Sequence, residues 1–435
     1  MHKVKLNNVI SFLIAISMLF FAFRGKLGAI VITVYIVILL CILLKKRKIE
    51  KNNLNISYVS YIFIFAVLLQ IFRTLSGEYY LIVGYIAAGL LCINGNLKTY
   101  DSLWKYLKMI SLFEASGVYL QRIFPDIYYV IMSIILPSPV INSIKSRLIS
   151  GYYTGFSREV SYTMFFIVIG LGTYIFDAKG KNNLLVKKNK NKLIAVIFLL
   201  GALVISGKRA TLIFFVIACF ITQFLRSDDK IKVIKYLYIG LVGIFVMWIT
   251  FPLWSKISFM RRIAELIGYI VTNDMSGITN GRIAIYNYAI QLWNQHKLIG
   301  IGWGNFKYST MPTSWFYRFD VHNCYLQLLC ENGILGSIPG YLLICIFLCN
   351  SIRCAIKLKR TNSYYYRLSI LMVYIQIFFT FYCITEPIFF EYPDYIIYFV
   401  SVNIIGIITK TVSGKELNIS HGKMKREKNN ITGKW

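Results

Sequence analysis

Long apolar segments, separated by shorter polar ones, run through almost the whole chain. Of its 435 residues 57% are hydrophobic and only 15% are charged, and the mean hydropathy is +0.61. A soluble domain of this length could not hide so much apolar surface in one core. The composition therefore predicts an all-α, polytopic integral membrane protein.

A helix that crosses a bilayer needs roughly 17 to 25 mostly apolar residues, and about twelve segments meet that criterion. The predicted spans are residues 9–23, 27–44, 56–72, 79–94, 103–124, 159–176, 192–206, 210–226, 233–252, 334–351, 364–384 and 394–409. They leave one long polar stretch between the ninth and tenth spans. This stretch is the first place to look for chemistry at a membrane face.

The net charge of +30 follows the predicted topology. With both termini in the cytoplasm, most of the 48 Lys and Arg residues lie in cytoplasmic segments, which is the positive-inside bias. Basic blocks of this kind orient spans and contact anionic lipid heads. No nucleic-acid recognition module accompanies the charge, so we expect the bilayer as a partner and no nucleic acid.

The topology divides the chain into four parts. Residues 1–252 are predicted to hold transmembrane helices 1 to 9, and residues 253–333 a large extracytoplasmic loop with short helices, which is the candidate catalytic loop. Residues 334–410 hold helices 10 to 12, and residues 411–435 form a basic cytoplasmic tail. The N-terminal apolar run lacks a cleavage site of small residues, so we expect it to remain as the first span.

Four arginines are predicted to lie on the outer side, against the positive-inside rule. Arg209 sits in a short hairpin between two spans, Arg282 begins a predicted helix, and Arg147 and Arg158 lie in a second outer segment, residues 125–158. A guanidinium there is costly unless it has an anionic partner, and its fork of donors fits phosphate well. The four arginines indicate an anionic ligand, although a single outer arginine such as Arg147 is also typical of a solvated interface anchor.

Metal and redox chemistry have little support in the sequence. The nine cysteines include no C-x-x-C pair, there are four histidines, and the carboxylates are not clustered. These patterns predict neither a metal site nor a disulfide framework, and we expect no cofactor.

The polar loop ends in a spaced motif. His322-Asn323 is followed, after nine residues, by Gly333-Ile334-Leu335-Gly336. Together with Asn280-Gly281-Arg282 and the turn from Gly300 to Phe306, this motif resembles the O-antigen ligase and polymerase superfamily of integral membrane enzymes. The order, the spacing and the position on a large outer loop all agree with that family.

Two further segments carry weaker similarity. Ser206-Gly207-Lys208-Arg209 resembles the family's arginine at the outer end of a middle span. Gly155-Phe156-Ser157-Arg158-Glu159-Val160-Ser161 resembles a segment of capsule polymerases, with Val160 in place of the usual proline.

The resemblance implies a GT-C-like, metal-independent glycosyltransferase whose donor is a polyprenyl-pyrophosphate-linked oligosaccharide. The departing pyrophosphate needs positive charge, and arginines in a poorly hydrated cavity supply it. We therefore assign Arg209 and Arg282 to a pyrophosphate clamp, with Arg158 and Arg147 as further binding residues.

The acceptor is a sugar hydroxyl, a weak nucleophile that a general base would activate. His322 is the first candidate for that base and Glu159 the second, although Glu159 also suits a local salt bridge. Residues from Asn323 to Glu331 are predicted to form an amphipathic helix along the membrane. The residues predicted to support the loop are Asn323, Gly300, Gly302 and Gly333.

Several aromatic residues crowd the same loop. Flat rings stack on sugar faces, but they are equally typical of a belt at headgroup level. The loop's aromatic residues are Trp303, Phe306, Tyr308, Trp315, Phe316 and Tyr317.

These observations predict a polymerase in the bacterial cytoplasmic membrane that joins lipid-linked repeat units into capsule, exopolysaccharide or O-antigen. A ligase that passes a finished glycan to another acceptor shares the donor site and stays open. A lipid-linked oligosaccharide flippase or other transporter is a third possibility. A chain-length regulator and a flippase are candidate protein partners.

Overall fold

In the computed structural model, every regular element of the described residues is helical, which confirms the all-α prediction. The structure describes residues 2–23, 97–176, 190–231, 233–235, 238, 261–279, 281–309, 320–361, 364–388, 391 and 393–412. The spans predicted at residues 27–44, 56–72 and 79–94, most of 233–252, and the tail from residue 413 lie outside these ranges.

The helices are numbered here in chain order within the described residues. They are α1 (His2–Phe23), α2 (Leu97–Ile123), α3 (Pro125–Ile135), α4 (Ser138–Ile149), α5 (Val160–Ile175), α6 (Lys190–Ile205), α7 (Arg209–Arg226), α8 (Arg261–Val271), α9 (Met275–Ile278), α10 (Arg282–Gln295), α11 (Cys324–Leu358), α12 (Tyr364–Tyr382) and α13 (Pro393–Val412). Single 3-10 turns occur at Phe306–Tyr308 and Lys359–Thr361.

Three of these helices, α7, α11 with its 3-10 extension, and α13, are long and apolar enough to cross a membrane. Helix α5 and part of α1 are apolar but shorter. Helix α2, at a predicted span, carries Asp101, Lys105, Lys108 and Glu114, which lower its hydropathy. A membrane protein is supported, whereas the total of about twelve spans remains a prediction.

Helix α5 lies at the centre of the described core. It has no charged residue on any face, and residues from Val160 to Thr173 are buried almost without interruption. A helix that is apolar all round is expected in the interior of a large helical protein. Helices α2 and α6 pack against α5, while α12 packs against α7 and α11.

The loop that enters α5 is fixed by a buried carboxylate, Glu114 of α2. Its oxygens accept hydrogen bonds from Phe156 N at 3.1 Å, Ser157 Oγ at 2.8 Å and Thr163 Oγ1 at 3.0 Å. A buried carboxylate is costly unless it is hydrogen-bonded, and these donors satisfy it. Glu114 therefore positions the loop that carries Arg158 and Glu159.

Candidate functional site

A cavity of about 950 Å³ lies where the N-termini of α5, α7, α10, α11 and α13 converge. This volume suits a ligand of substantial size. The charged residues and the histidine that line it are Arg147, Arg158, Lys208, Arg209, Arg282, Lys307, His322, Glu159, Asp320, Glu386, Glu391 and Asp394. The structure thus brings the four predicted arginines together with both candidate bases, His322 and Glu159.

Several side chains of the cavity contact Glu386, which follows α12 and is only 3% exposed. Its Oε1 lies 2.6 Å from Lys208 Nζ and 3.3 Å from Arg282 Nη2. Its Oε2 accepts a hydrogen bond from Ser161 Oγ at 2.8 Å and lies 3.9 Å from His322 Nδ1. Glu386 therefore joins four elements of the chain at one point.

The protonation states follow from burial and from these neighbours. Burial alone would raise the pKa of Glu386, but Lys208 and Arg282 lower it well below its usual range. Burial lowers the pKa of Lys208, and the Glu386 carboxylate opposes that shift. Burial and then the Arg282 charge lower the pKa of His322 to about 4. At neutral pH the Glu386 side chain is thus ionised and the neighbouring His322 side chain is neutral.

His322 is held in an uncommon backbone conformation. Its φ of 56° lies in the left-handed region, which non-glycine residues rarely adopt. Among the described residues, its buried Nδ1 has no hydrogen-bond partner. An imidazole that is neutral, strained in its backbone and only partly satisfied is typical of a functional position rather than a structural one.

The chain that directly follows His322 is held by three hydrogen bonds. Asn323 caps α11 by accepting a hydrogen bond from Leu326 N at 3.0 Å. Cys324 N donates to the Cys383 carbonyl at 2.8 Å, and Cys324 Sγ contacts the Glu386 carbonyl at 3.0 Å. The cap and the two bridges to the end of α12 hold His322 close to Glu386.

The two arginines of the predicted clamp are the first residues of α7 and α10, and both line the cavity. Arg282 Nη1 donates to the Thr385 carbonyl at 2.6 Å, while Nη2 reaches Glu386. Arg209 lies within electrostatic range of Glu265 on α8. Lys208, which precedes Arg209 and was not a predicted site residue, lies closer to Glu386 than Arg282 does, at 2.6 Å against 3.3 Å.

Arg147 and Glu159 form an ion pair at the cavity wall. Arg147 Nη1 and Nη2 donate to the two Glu159 oxygens at 2.6 and 3.0 Å. The local salt bridge considered for Glu159 is present, but with Arg147 rather than Arg158. Because both Glu159 oxygens are engaged, His322 is the stronger candidate for a base, while Arg158 also lines the cavity.

The glycine-rich turn docks against the start of α11. Ile301 N and Gly302 N donate to the carbonyls of Cys330 and Glu331 at 3.0 and 2.8 Å. The Glu331 carboxylate, which is buried, accepts from Gly304 N at 2.9 Å and Phe306 N at 3.2 Å. The amphipathic helix predicted from Asn323 to Glu331 is present at the start of α11. Its Glu331 side chain does not lie along the membrane surface but binds the glycine-rich turn inside the protein.

Gly300 and Gly333 meet where the two segments cross. A Cβ on Gly300 would lie 2.3 Å from the Glu331 carbonyl, and one on Gly333 would lie 2.4 Å from the Leu298 carbonyl. Both residues have positive φ, and Gly333 interrupts α11 with a φ of 62°. The motif glycines therefore allow the two backbone segments to touch.

We expect Gly333→Ala to lower the midpoint temperature of thermal unfolding in detergent by several degrees. The new methyl group would overlap the backbone of the segment that contains Leu298. Gly281→Ala is the matched control, because Gly281 also has positive φ but no atom of the described residues, its chain neighbours aside, lies within 4 Å of its Cβ position. That control should show only the left-handed strain, about 1–2 kcal/mol. An equal decrease of the midpoint temperature in the two variants would contradict the packing role of Gly333.

The aromatic residues of the loop fall into two groups. Trp303 and Phe306 are 0% and 3% exposed and belong to the hydrophobic core. Tyr308 is exposed, and the remaining aromatic residues of the loop lie outside the described residues. Trp303 and Phe306 therefore serve neither as sugar platforms nor as a lipid-facing belt.

Sequence analysis did not identify Glu386 and Lys208. The sequence does contain a signal for Glu386, because this acidic residue directly follows the long apolar segment that forms α12. An ionisable group at the end of a span is by default a functional hypothesis. Lys208 was present in the hairpin with Arg209, but the arginine alone was selected there.

The fold and the cavity define a helical membrane protein with a pocket that both basic and acidic side chains line, at the place where several of its helices begin. Residues 194–339 match the family model described as O-antigen ligase, which confirms the resemblance to the O-antigen ligase and polymerase superfamily over that part of the chain. The matched region includes Lys208, Arg209, Arg282 and His322. No match was found among curated proteins.

The match points to a membrane enzyme of the O-antigen ligase and polymerase type. It lends no support to the flippase alternative. The segments that carry Glu159 and Glu386 lie outside the matched residues, so their roles are argued from the geometry alone.

Proposed function

We propose that this protein is a glycosyltransferase that polymerises polyprenyl-pyrophosphate-linked oligosaccharide repeat units into a surface polysaccharide. The observation that carries the proposal is the shared cavity, in which Arg209, Arg282 and Lys208 lie together with His322. Two of these cations, Lys208 and Arg282, share the single Glu386 carboxylate, which leaves positive charge for an anionic ligand.

The helix arrangement adds to that positive charge. Five helices begin at the cavity wall, and a helix N-terminus carries about half of a positive elementary charge. Such ends favour negatively charged groups. A pyrophosphate group would therefore meet fixed dipoles as well as side-chain cations.

The transfer itself needs only groups that the cavity supplies. The acceptor hydroxyl oxygen attacks the anomeric carbon of the donor sugar, and the bond from that carbon to the pyrophosphate oxygen breaks with its electron pair leaving on the pyrophosphate. The acceptor proton passes to the neutral His322 imidazole. Arg282 and Arg209 stabilise the negative charge that builds on the leaving group.

Glu386 has a positioning role in this scheme. It holds Arg282 and Lys208 at the cavity before substrate arrives, so the cations need little reorganisation when the charge develops. Its negative charge near His322 also favours the imidazolium that forms during transfer.

A ligase of the same superfamily would use the same donor site, and the acceptor distinguishes the two activities. In a deletion strain we expect single lipid-linked repeat units to accumulate, because their joining is blocked. Extraction of the lipid fraction followed by mass spectrometry measures the glycan length on the carrier. Finished long chains that stay on the carrier would contradict the polymerase and favour the ligase.

A further inference from the structure

The segment between α12 and α13 and the first turn of α13 bring three carboxyl groups to the cavity wall: Glu386, Glu391 and Asp394. Glu386 is matched by Lys208 and Arg282, as described above. The other two are not needed by the proposed pyrophosphate clamp. Their presence raises the question of which part of a substrate they contact.

Asp394 is the most unusual of these groups. It is only 1% exposed, lines the cavity, and its Oδ1 has no hydrogen-bond partner among the described residues. A buried polar atom without a partner costs about 1–3 kcal/mol, and such atoms in native structures call for a specific explanation. A ligand that donates a hydrogen bond to Asp394 Oδ1 would explain why the protein itself supplies no partner.

Glu391 is held by an aromatic neighbour. The hydroxyl group of Tyr162, near the start of α5, donates to Glu391 Oε2. Pro387 and Ile388 line the cavity along the same segment and add apolar surface. Carboxylates, a tyrosine hydroxyl and a small apolar surface together match the faces of a sugar ring, which presents both hydroxyl groups and C–H bonds.

The oxygen atoms of this region suit the hydroxyl groups of a sugar. A carboxyl oxygen accepts a hydrogen bond from a hydroxyl group whether or not the carboxyl group is ionised. Lys208 and Arg282, which the proposed function assigns to the pyrophosphate, are instead gathered at Glu386. The cavity therefore has a region for phosphate and a region for neutral hydrogen-bond donors.

We propose that Asp394, Glu391 and Tyr162 form the subsite for the acceptor sugar, binding its hydroxyl groups while the cations hold the donor pyrophosphate. This inference rests on the proposed function, since it assigns the second substrate of the same site. The subsite selects the acceptor by the placement of its hydroxyl groups, and it places one of them within reach of His322.

The test separates the two subsites with two probes. One probe is undecaprenyl pyrophosphate without sugar, and the other is the repeat-unit oligosaccharide released from its lipid by mild acid. Binding of each probe to the purified full chain in detergent is measured by native mass spectrometry titration. For Asp394→Asn we expect at least tenfold weaker oligosaccharide binding with pyrophosphate binding unchanged.

Two other variants make the test specific. Tyr162→Phe removes only the hydroxyl that fixes Glu391, and should weaken oligosaccharide binding several-fold even if Asp394→Asn folds poorly. Asp101→Asn is the matched control, because Asp101 also accepts a hydrogen bond from a tyrosine, Tyr364, at the far end of α12. It should bind both probes normally.

The outcomes are distinct. Unchanged oligosaccharide binding in both Asp394→Asn and Tyr162→Phe would overturn the subsite, as would oligosaccharide binding that requires added Mg²⁺ and is lost with a chelator. Equal loss of both probes in Asp394→Asn would also overturn it, by showing general damage to the cavity. Failure of the unaltered protein to bind undecaprenyl pyrophosphate would instead count against the proposed function.

Discussion

Replacing Arg282 with alanine should lower the rate of polymer formation by about 10²- to 10³-fold or more, since one preorganised donor at a developing charge is worth that much. The substitution also removes a cation from Glu386 and a bond to the Thr385 carbonyl. Arg209→Ala should have a similar effect. Polymer formation from radiolabelled lipid-linked repeat units by purified protein measures both.

Arg282→Lys should recover little activity, because lysine keeps the charge but loses the fork that binds two oxygens at once. Arg226→Ala is the matched control: Arg226 ends α7, the helix that Arg209 begins, and does not line the cavity. It should retain normal turnover. Normal polymer from well-expressed Arg282→Ala and Arg209→Ala would show that the clamp is wrongly assigned.

His322→Gln should lower turnover by about 10²- to 10⁴-fold, the usual contribution of a positioned general base. Glutamine keeps hydrogen-bonding capacity but cannot accept the proton. Pyrophosphate binding should persist in this variant, because Arg209, Lys208 and Arg282 are unchanged. A loss of binding equal to the loss of turnover would indicate that His322 contacts the donor instead.

The pH profile provides an independent check of the same assignment. Burial and Arg282 lower the pKa of His322 to about 4, so the imidazole is neutral, and competent as a base, at any pH above that value. Activity should therefore persist through pH 6.5 and fall only as the pH approaches about 4. A midpoint of kcat/KM near pH 6.5, typical of an exposed histidine, would contradict the desolvated base.

Local sequence patterns were sufficient for much of the fold. The uninterrupted apolar sequence of α5 indicates a buried helix, and the glycine at 333 indicates the turn that interrupts α11. The arginines at the starts of α7 and α10 were found because a charge between apolar segments stands out. Each of these signals lies within a few residues of the feature that it predicts.

The centre of the cavity could not be found in this way. Glu386 and Arg282 are 104 residues apart in the chain, and their contact depends on how α10, α11 and α12 pack. Likewise, Glu159 could be expected to form a salt bridge, but its partner Arg147 is chosen by the geometry of the α4–α5 loop. Pairings over such distances follow from tertiary packing, which no local pattern records.

The central claim is that guanidinium and ammonium groups gathered in one cavity hold a pyrophosphate as it leaves a sugar. The most direct test counts the polyprenyl pyrophosphate released against the glycosidic bonds formed, using purified protein and lipid-linked repeat units in detergent. We predict one pyrophosphate carrier released for each bond, with both products lost together in Arg282→Ala. Bond formation at the normal rate in that variant, or movement of repeat units without any bond formed, would contradict the account.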